Sequence, residues 1–273
     1  MNLEQHRETQ SLLVKAPVVI TVYFWAIKLL VTSLGQASAD FLSFNLHYGL
    51  SAGSWLISGL MLALLYVQVR TKQYIPWLFW LMLFMLSIVG ILITDNLTDS
   101  FGIPLQITCL VFAIALLTTF VLWYRIEGTL SIHRIDNAKC EMLYWAAILF
   151  AFVLGMATGD LLAESQSMSY GLSLLFLSGA VGAIAIGFYV LKLNAFTTFW
   201  LAFILTGPLA SNIGHYLSQP VINGGQGLGM ITTSAVFSFC ILGLLFFITR
   251  SRVDAPVRVE IESPELKMDV VQD

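Results

Sequence analysis

The stretch Trp25–Asp40, W-A-I-K-L-L-V-T-S-L-G-Q-A-S-A-D, decides how this chain is read. A Trp opens it and an Asp closes it fifteen positions later. The same frame returns at Trp80–Asp95, Trp145–Asp160 and Trp200–His215, and the tenth position after each Trp is Gly35, Gly90, Gly155 and then Ala210. Three Trp-Gly-Asp frames and one Trp-Ala-His frame at a single spacing identify an internal repeat, and a repeat governs every other reading of a sequence.

Composition gives the repeat its setting. Of 273 residues, 58% are hydrophobic and only 11% charged, with a mean hydropathy of +0.84. Soluble domains carry roughly 25% charged residues, and no soluble core hides this much apolar surface. The class expected is an all-α polytopic membrane protein. A span takes about 20 apolar residues, which places eight near 18–42, 51–69, 76–94, 104–124, 141–162, 171–191, 195–216 and 228–249. The first run is too long for the roughly 7–15-residue core of a cleaved signal peptide and reads as a retained span. Pro17 and Pro76 suit first helical turns, and Asn194 suits an N-cap. Cys109, Cys140 and Cys240 show no paired or metal-type spacing and read as small hydrophobes.

Each even span opens on a related signal: Gly49-Leu50-Ser51, Gly102-Ile103-Pro104, Gly171-Leu172-Ser173 and Gly227-Leu228-Gly229. The unit is therefore a helical hairpin. Two helices restore the direction of travel, so the four units are parallel repeats about an axis along the membrane normal. The Trp-to-Trp separations are 55, 65 and 55 residues, and the long middle interval holds the polar stretch Arg125–Glu141. The organisation expected is an N-terminal segment 1–17, a first pair of hairpins 18–124, a hinge loop 125–141, a second pair 142–250 and a disordered tail 251–273. Arg7, Lys15, Arg70, Lys72, Arg125, Arg134, Lys139, Lys192, Arg250, Arg252, Arg258 and Lys267 all fall on one side of the spans. The positive-inside rule then puts both termini in the cytoplasm.

At 100° per residue, Trp25, Lys28, Thr32, Gln36 and Asp40 form one stripe on the first span. Ser87 and Asp95, Met156 and Asp160, and Ser211 and His215 hold the same stripe in the other odd spans. Lipid cannot solvate such groups, so the four Trp faces are expected to turn inward. Gly35, Gly90 and Gly155 lie about 80° away on the wheel, where they let a neighbouring helix approach closely. Asp40, Asp95, Asp160 and His215 sit about 22 Å beyond their Trp residues along the helix. The expectation is a ring of three carboxylates and one imidazole at an outward-facing mouth, able to attract a cation or a small solute. A defined metal site is a narrower version of the same idea, and the plain alternative is four helix ends in a polar interface that also holds Asn96, Asp99, Glu164 and Asn212. Lys28 lies near mid-span, where a basic residue costs about 2.5–3.5 kcal/mol on insertion scales. Snorkelling is the plain alternative, but about 15 Å to the interface exceeds the reach of its stem. Lys28→Met is expected to abolish activity if Lys28 binds substrate.

The segments F-W-A-I-K-L-L-V-T-S-L-G-Q-A-S-A-D-F (24–41) and I-L-I-T-D-N-L-T-D-S-F-G-I-P-L (91–105), with a Trp in every hairpin, resemble a family of bacterial membrane-anchored proteins of unknown function built from four tandem two-helix repeats. The resemblance covers about 18–250. It implies a bacterial inner membrane and eight spans, and it brings no activity. In the family pattern the residue after the first repeat's Gly is often Glu; here it is Gln36, which weakens any proton-carrier role. The fourth repeat departs further, with Ala210 and His215.

The function expected is a secondary transporter or channel-like protein for a small solute or cation, with the lipid bilayer as surroundings, no nucleic-acid partner and no cofactor. The candidate site residues are Lys28, Thr32, Gln36, Asp40, Asp95, Asp160 and His215. Trp25, Trp80, Trp145, Trp200, Gly35, Gly90 and Gly155 are structural repeat markers. No G-x-x-x-x-G-K-[ST] loop occurs, which argues against primary pumping. The chain is not expected to be an enzyme. Thr94-Asp95 and Ala157-Thr158-Gly159-Asp160 resemble intramembrane-protease aspartates, but Ala157 stands where that pattern needs Gly. His6, His47, His133 and His215 are poorly placed for bis-histidine haem ligation. The alternative is a non-transporting membrane scaffold or sensor subunit.

Overall fold

The computed structural model describes residues 20–45, 49–71, 74–128, 130, 138–166, 170–251 and 253. The segment 1–17, the tail residues 254–273, and Arg7, Lys15, Lys72, Arg134, Arg252, Arg258, Lys267, His6, His47 and His133 lie outside the described residues, as do 131–137 of the expected hinge.

Among the described residues the chain forms eight α-helices and no strand. They are α1 Val22–Asn45, α2 Gly49–Arg70, α3 Pro76–Asp95, α4 Leu105–Glu127, α5 Ala138–Gln166, α6 Tyr170–Tyr189, α7 Ala195–Ser218 and α8 Met230–Ser251. Pro76 occupies the first turn of α3, where its missing N–H leaves no helical bond unmade. Asn194 caps α7, its side chain accepting from the amides of Phe196 (2.9 Å) and Thr197 (3.4 Å). The expected breaks before the return helices differ in form. Gly102 (φ 64°) and Gly227 (φ 73°) adopt left-handed backbone that only Gly takes without strain, whereas Gly49 and Gly171 are already helical.

Seven helices, α2 to α8, are long and apolar enough to cross a membrane. The eighth, α1, is 24 residues long and carries the polar stripe, which lowers its hydropathy but lies inside the bundle. The odd helices are central. α1 packs on α3, α3 on α5, α5 on α7, and α7 back on α1, closing a ring of four. Burial follows: 72% of the α3 span and 67% of the α5 span are buried, against 11% of the α2 span and 17% of α6.

The return helices do not pack as simple hairpins. α2 lies on α3, α4 on α5, α6 on α7, and α8 on α1, so each leans on the inner helix of the following repeat and the last closes on the first. Within hairpins, α1 touches α2 only lightly, and α7 touches α8 only lightly. The two hairpin pairs, 18–124 and 142–250, therefore interlock.

The repeat glycines make the inner ring possible. A Cβ at Gly35 would run into the Ser87 hydroxyl on α3, one at Gly90 would lie 2.9 Å from Phe152 Cβ on α5, and one at Gly155 would lie 2.5 Å from the Ile204 carbonyl oxygen on α7. In lipid, apolar side chains gain little by leaving the solvent, so helix association relies on close packing, which small residues permit. The fourth repeat solves the contact differently. Ala210 is fully buried and its carbonyl accepts from the Ser33 hydroxyl of α1 (2.6 Å), while Gly214, a turn later, packs on Ser33.

Candidate functional site

Counting from each Trp places the inner side chains in layers along the ring. At the Trp level, Phe24 meets Trp80 (5.3 Å between centroids), Phe79 meets Trp145 (5.5 Å), and Phe199 meets Trp25 (5.7 Å). An aromatic residue precedes every repeat Trp: Phe24, Phe79, Tyr144 and Phe199. These pairs form a collar in which the first aromatic of three repeats reaches the neighbouring repeat's indole, while Tyr144 of the third packs on Trp123 instead (6.2 Å). The indole N–H groups of Trp80, Trp145 and Trp200 are buried without an acceptor among the described residues, so ring packing holds them. The dipeptide was visible in the sequence, but its inter-repeat pairing was not.

Three positions on are Lys28, Leu83, Ile148 and Phe203. Lys28 is fully buried. Its Nζ donates to the Phe203 carbonyl oxygen (3.0 Å) and to Thr206 Oγ1 (2.6 Å), and it lies 4.2 Å from the Phe203 ring centroid and 5.2 Å from that of Phe152. Two ring faces and two neutral oxygens surround the amine in place of water. Snorkelling is absent: the amine is held inside. The next layer holds Thr32, Ser87, Phe152 and Gly207. Thr32 is fully buried and its hydroxyl has no partner among the described residues.

Above this floor a cavity of about 610 Å³ opens. Its wall includes the whole eleventh-position layer, Gln36, Ile91, Met156 and Ser211, and the whole fifteenth-position layer, Asp40, Asp95, Asp160 and His215. Three carboxylates and one imidazole from four repeats thus meet around one space. Ser43, Asp99, Ser100 and Gln219 complete the rim. Asp99 arrives on a wide π turn, Asn96–Ser100, that continues α3. Such turns often mark functional segments. Asp40 and Asp95 are half-buried, while Asp99 and Asp160 are exposed at the mouth.

The structure does not bring all the sequence candidates together. Gln36, Asp40, Asp95, Asp160 and His215 share the cavity, whereas Lys28 and Thr32 do not line it. Lys28 lies eight residues, about 12 Å along α1, below Gln36. One stripe on one helix spans both regions, and the layer of Thr32, Ser87, Phe152 and Gly207 lies between Lys28 and the cavity. Ile91, Ser43 and Gln219 were not singled out from the sequence. Ile91 was accessible through its repeat register. The other two sit beyond the repeated frame.

The polar groups are ordered unevenly. Gln36 Nε2 donates to Asp40 Oδ1 (2.8 Å), Ser211 Oγ donates to Gln36 Oε1 (2.9 Å), and His215 Nδ1 stands 3.8 Å from Asp40 Oδ2. Tyr170 stacks on His215 at 5.6 Å. The α1–α7 wall is therefore a connected network. On the α3–α5 wall, Asp95 lies within the electrostatic reach of Asp160, Asp99 and Asp40, all of its own sign. Among the described residues, no three His, Cys, Asp or Glu side chains group closely enough to hold a metal ion.

Fold and site together define an all-helical repeat protein with membrane-spanning helices and a polar cavity at one end of its central ring. Residues 23–74 and 78–129 each match the family model described as a Repeat of Unknown Function (DUF347), and the chain carries these two copies in tandem. No curated protein and no solved structure matches the chain.

Proposed function

We propose that this protein is a multi-pass inner-membrane secondary transporter, or a channel-like relative of one, for a small solute or cation. The observation that carries the proposal is the acid-lined cavity at the end of the closed inner ring. Acidic groups within a membrane bundle are costly and mark solute or ion paths, and parallel repeats around a shared site suit transport. The floor supports a transporter over an open pore: below Gln36, Ile91, Met156 and Ser211 the axis is filled by the buried Lys28 layer and then by the aromatic collar. A solute drawn in by Asp95 and Asp99 meets the packed, fully buried Lys28 layer before it can pass, so passage requires the inner helices to rearrange. Arg70, Arg125 and Arg250 end their helices at the Trp end. By the positive-inside rule that end and both termini are cytoplasmic, and the cavity faces outward.

Reconstitution into liposomes tests this. Uptake or counterflow of a labelled cation or solute that falls in Asp40→Asn, Asp95→Asn or Asp160→Asn supports transport. Absence of flux across a broad panel, together with no ligand-dependent thermal shift, favours the scaffold or sensor reading.

A further inference from the structure

The outer helices follow one rule with one exception. Besides the inner helix it covers, α8 reaches past α1 to α3, and α2 reaches past α3 to α5. On α4 the Phe120 ring reaches past α5 to Phe196 (5.1 Å) and Trp200 (4.9 Å) of α7. The fourth such contact would take α6 past α7 to α1. A crevice of about 380 Å³ stands there instead. Its sides are α6 from Val181 to Tyr189 and the start of α1 from Ile20 to Leu29, and its floor is α7 from Ala195 to Leu209. The rim is open and the floor is not: Ala185 and Tyr189 are exposed, whereas Thr198, Ala202 and Thr206 are buried. Small side chains at Ala185, Ala195 and Ala202 leave open the gap whose counterpart Phe120 fills.

The crevice is long, dry and positive at one end. From Ala195 to Leu209 it runs about 21 Å along α7, the depth of one leaflet of a bilayer about 40–45 Å thick. Its hydroxyls are already engaged: that of Thr198 donates to the Asn194 carbonyl (2.9 Å) and that of Thr206 to the Ala202 carbonyl (2.7 Å). Among the described residues no buried polar atom of this wall lacks a partner, and no Asp or Glu lines it. A polar solute finds nothing to bond there, whereas a hydrocarbon chain meets a matching surface. At the Trp end, Tyr189 and Ala195 line the mouth, and the turn between them carries Lys192, which is exposed. Lys192 has φ 56°, left-handed backbone that favours Gly. Among the described residues no other non-Gly residue holds it, so a charge stands where backbone alone favours Gly. The helix dipoles of α1 and α7, which begin at the same mouth, add to its positive potential.

We propose that this crevice holds one acyl chain of an anionic phospholipid from the leaflet at the Trp end, with the lipid phosphate beside Lys192. The chain completes the packing that α6 does not make against α1. It therefore lies at the seam where the fourth repeat closes on the first. Its inner end stops at Thr206, whose hydroxyl accepts from Lys28 Nζ (2.6 Å), so the lipid braces α7 directly behind the buried amine. This inference stands apart from what the acid-lined cavity carries: a scaffold would hold the lipid as a transporter would. Chain and headgroup are recognised by different residues, so each is separately removable.

Native mass spectrometry and thermal unfolding of the detergent-purified full-length protein test this, with palmitoyl-oleoyl phosphatidylglycerol and the matched phosphatidylcholine as probes. One phosphatidylglycerol is expected to stay bound and to raise the melting temperature, with a preference of about fivefold over phosphatidylcholine, which is what one basic residue near the membrane surface contributes. Lys192→Gln is expected to erase that preference while a lipid still binds, and Lys192→Arg to keep it. Ala185→Phe fills the crevice as Phe120 fills its counterpart. It is expected to remove the retained lipid and the lipid-dependent rise in melting temperature, with Ala185→Leu serving if Ala185→Phe does not elute as folded protein. Unchanged retention in a folded crevice-filling variant overturns the proposal, because the lipid then sits elsewhere on the bundle. Equal retention of the two lipids by the parent protein overturns it as well, as does retention of neither. A co-purifying apolar molecule that is not a phospholipid, lost in Ala185→Phe, overturns the lipid assignment.

Discussion

Gly155 shows how a single hydrogen atom sets the distance between two helices. Pro208 lacks an N–H, so the Ile204 carbonyl one turn earlier loses its helical donor. That oxygen is the atom a Cβ on Gly155 would meet at 2.5 Å, and the Pro208 ring packs on Gly159. Backbone cannot step aside as a flexible side chain can. Gly155→Ala is expected to lower stability by about 1–3 kcal/mol through overpacking. Gly179→Ala, which meets nothing within 4 Å, is expected to be neutral or stabilising, and thermal denaturation of the two purified variants checks the contrast. Lys28 makes the opposite case. Its partners are a carbonyl, a hydroxyl and two rings, and an unbranched apolar side chain fills the same volume. Lys28→Met is expected to fold with stability equal to or above that of the parent, since a packed apolar group removes the cost of burying the amine, yet to lose concentrative uptake. Loss of the folded elution peak would instead make Lys28 structural.

At the scale of helices, the repeat is a unit of sequence more than a unit of packing. Each return helix covers the inner helix of the next repeat. Its outward face is apolar and exposed, as Trp55, Leu175 and Phe239 are at 79%, 72% and 81%, which suits lipid rather than water. The interfaces α4–α5, α3–α5, α1–α7 and α1–α8 all join the first half to the second. Splitting the gene between residues 130 and 138 is expected to give two fragments that co-purify when made together and that are degraded or aggregate when made alone. Recovery of either fragment as a stable monodisperse species would show that the halves fold independently.

For the molecule as a whole, closure is the decisive property: the fourth repeat must lie beside the first. A Cβ on Gly214 would sit 3.9 Å from Ser33 Cβ, within the roughly 3.5–4.5 Å that a disulfide spans. The double variant Ser33→Cys, Gly214→Cys is expected to form an intramolecular disulfide on mild oxidation, read as two fragments held together after proteolysis between α4 and α5. No cross-link at any oxidant concentration would place α1 and α7 apart. The sequence by itself determined the repeat, its register, the approximate spans, the inward stripe and the common depth of Asp40, Asp95, Asp160 and His215. All of these follow from the fixed angle and rise of a helix and from the cost of exposing polar groups to lipid. Only the tertiary structure decided which helix lies beside which, that Gln36 and Ser211 join Asp40 and His215 along one wall, and that Lys28 and Thr32 fall beneath the cavity. Lipid is as apolar as Leu, so hydrophobic pattern says which way a face turns but not what it meets. The neighbour is chosen by close packing at Gly35, Gly90, Gly155 and Ser33, a matter of shape that periodicity does not record.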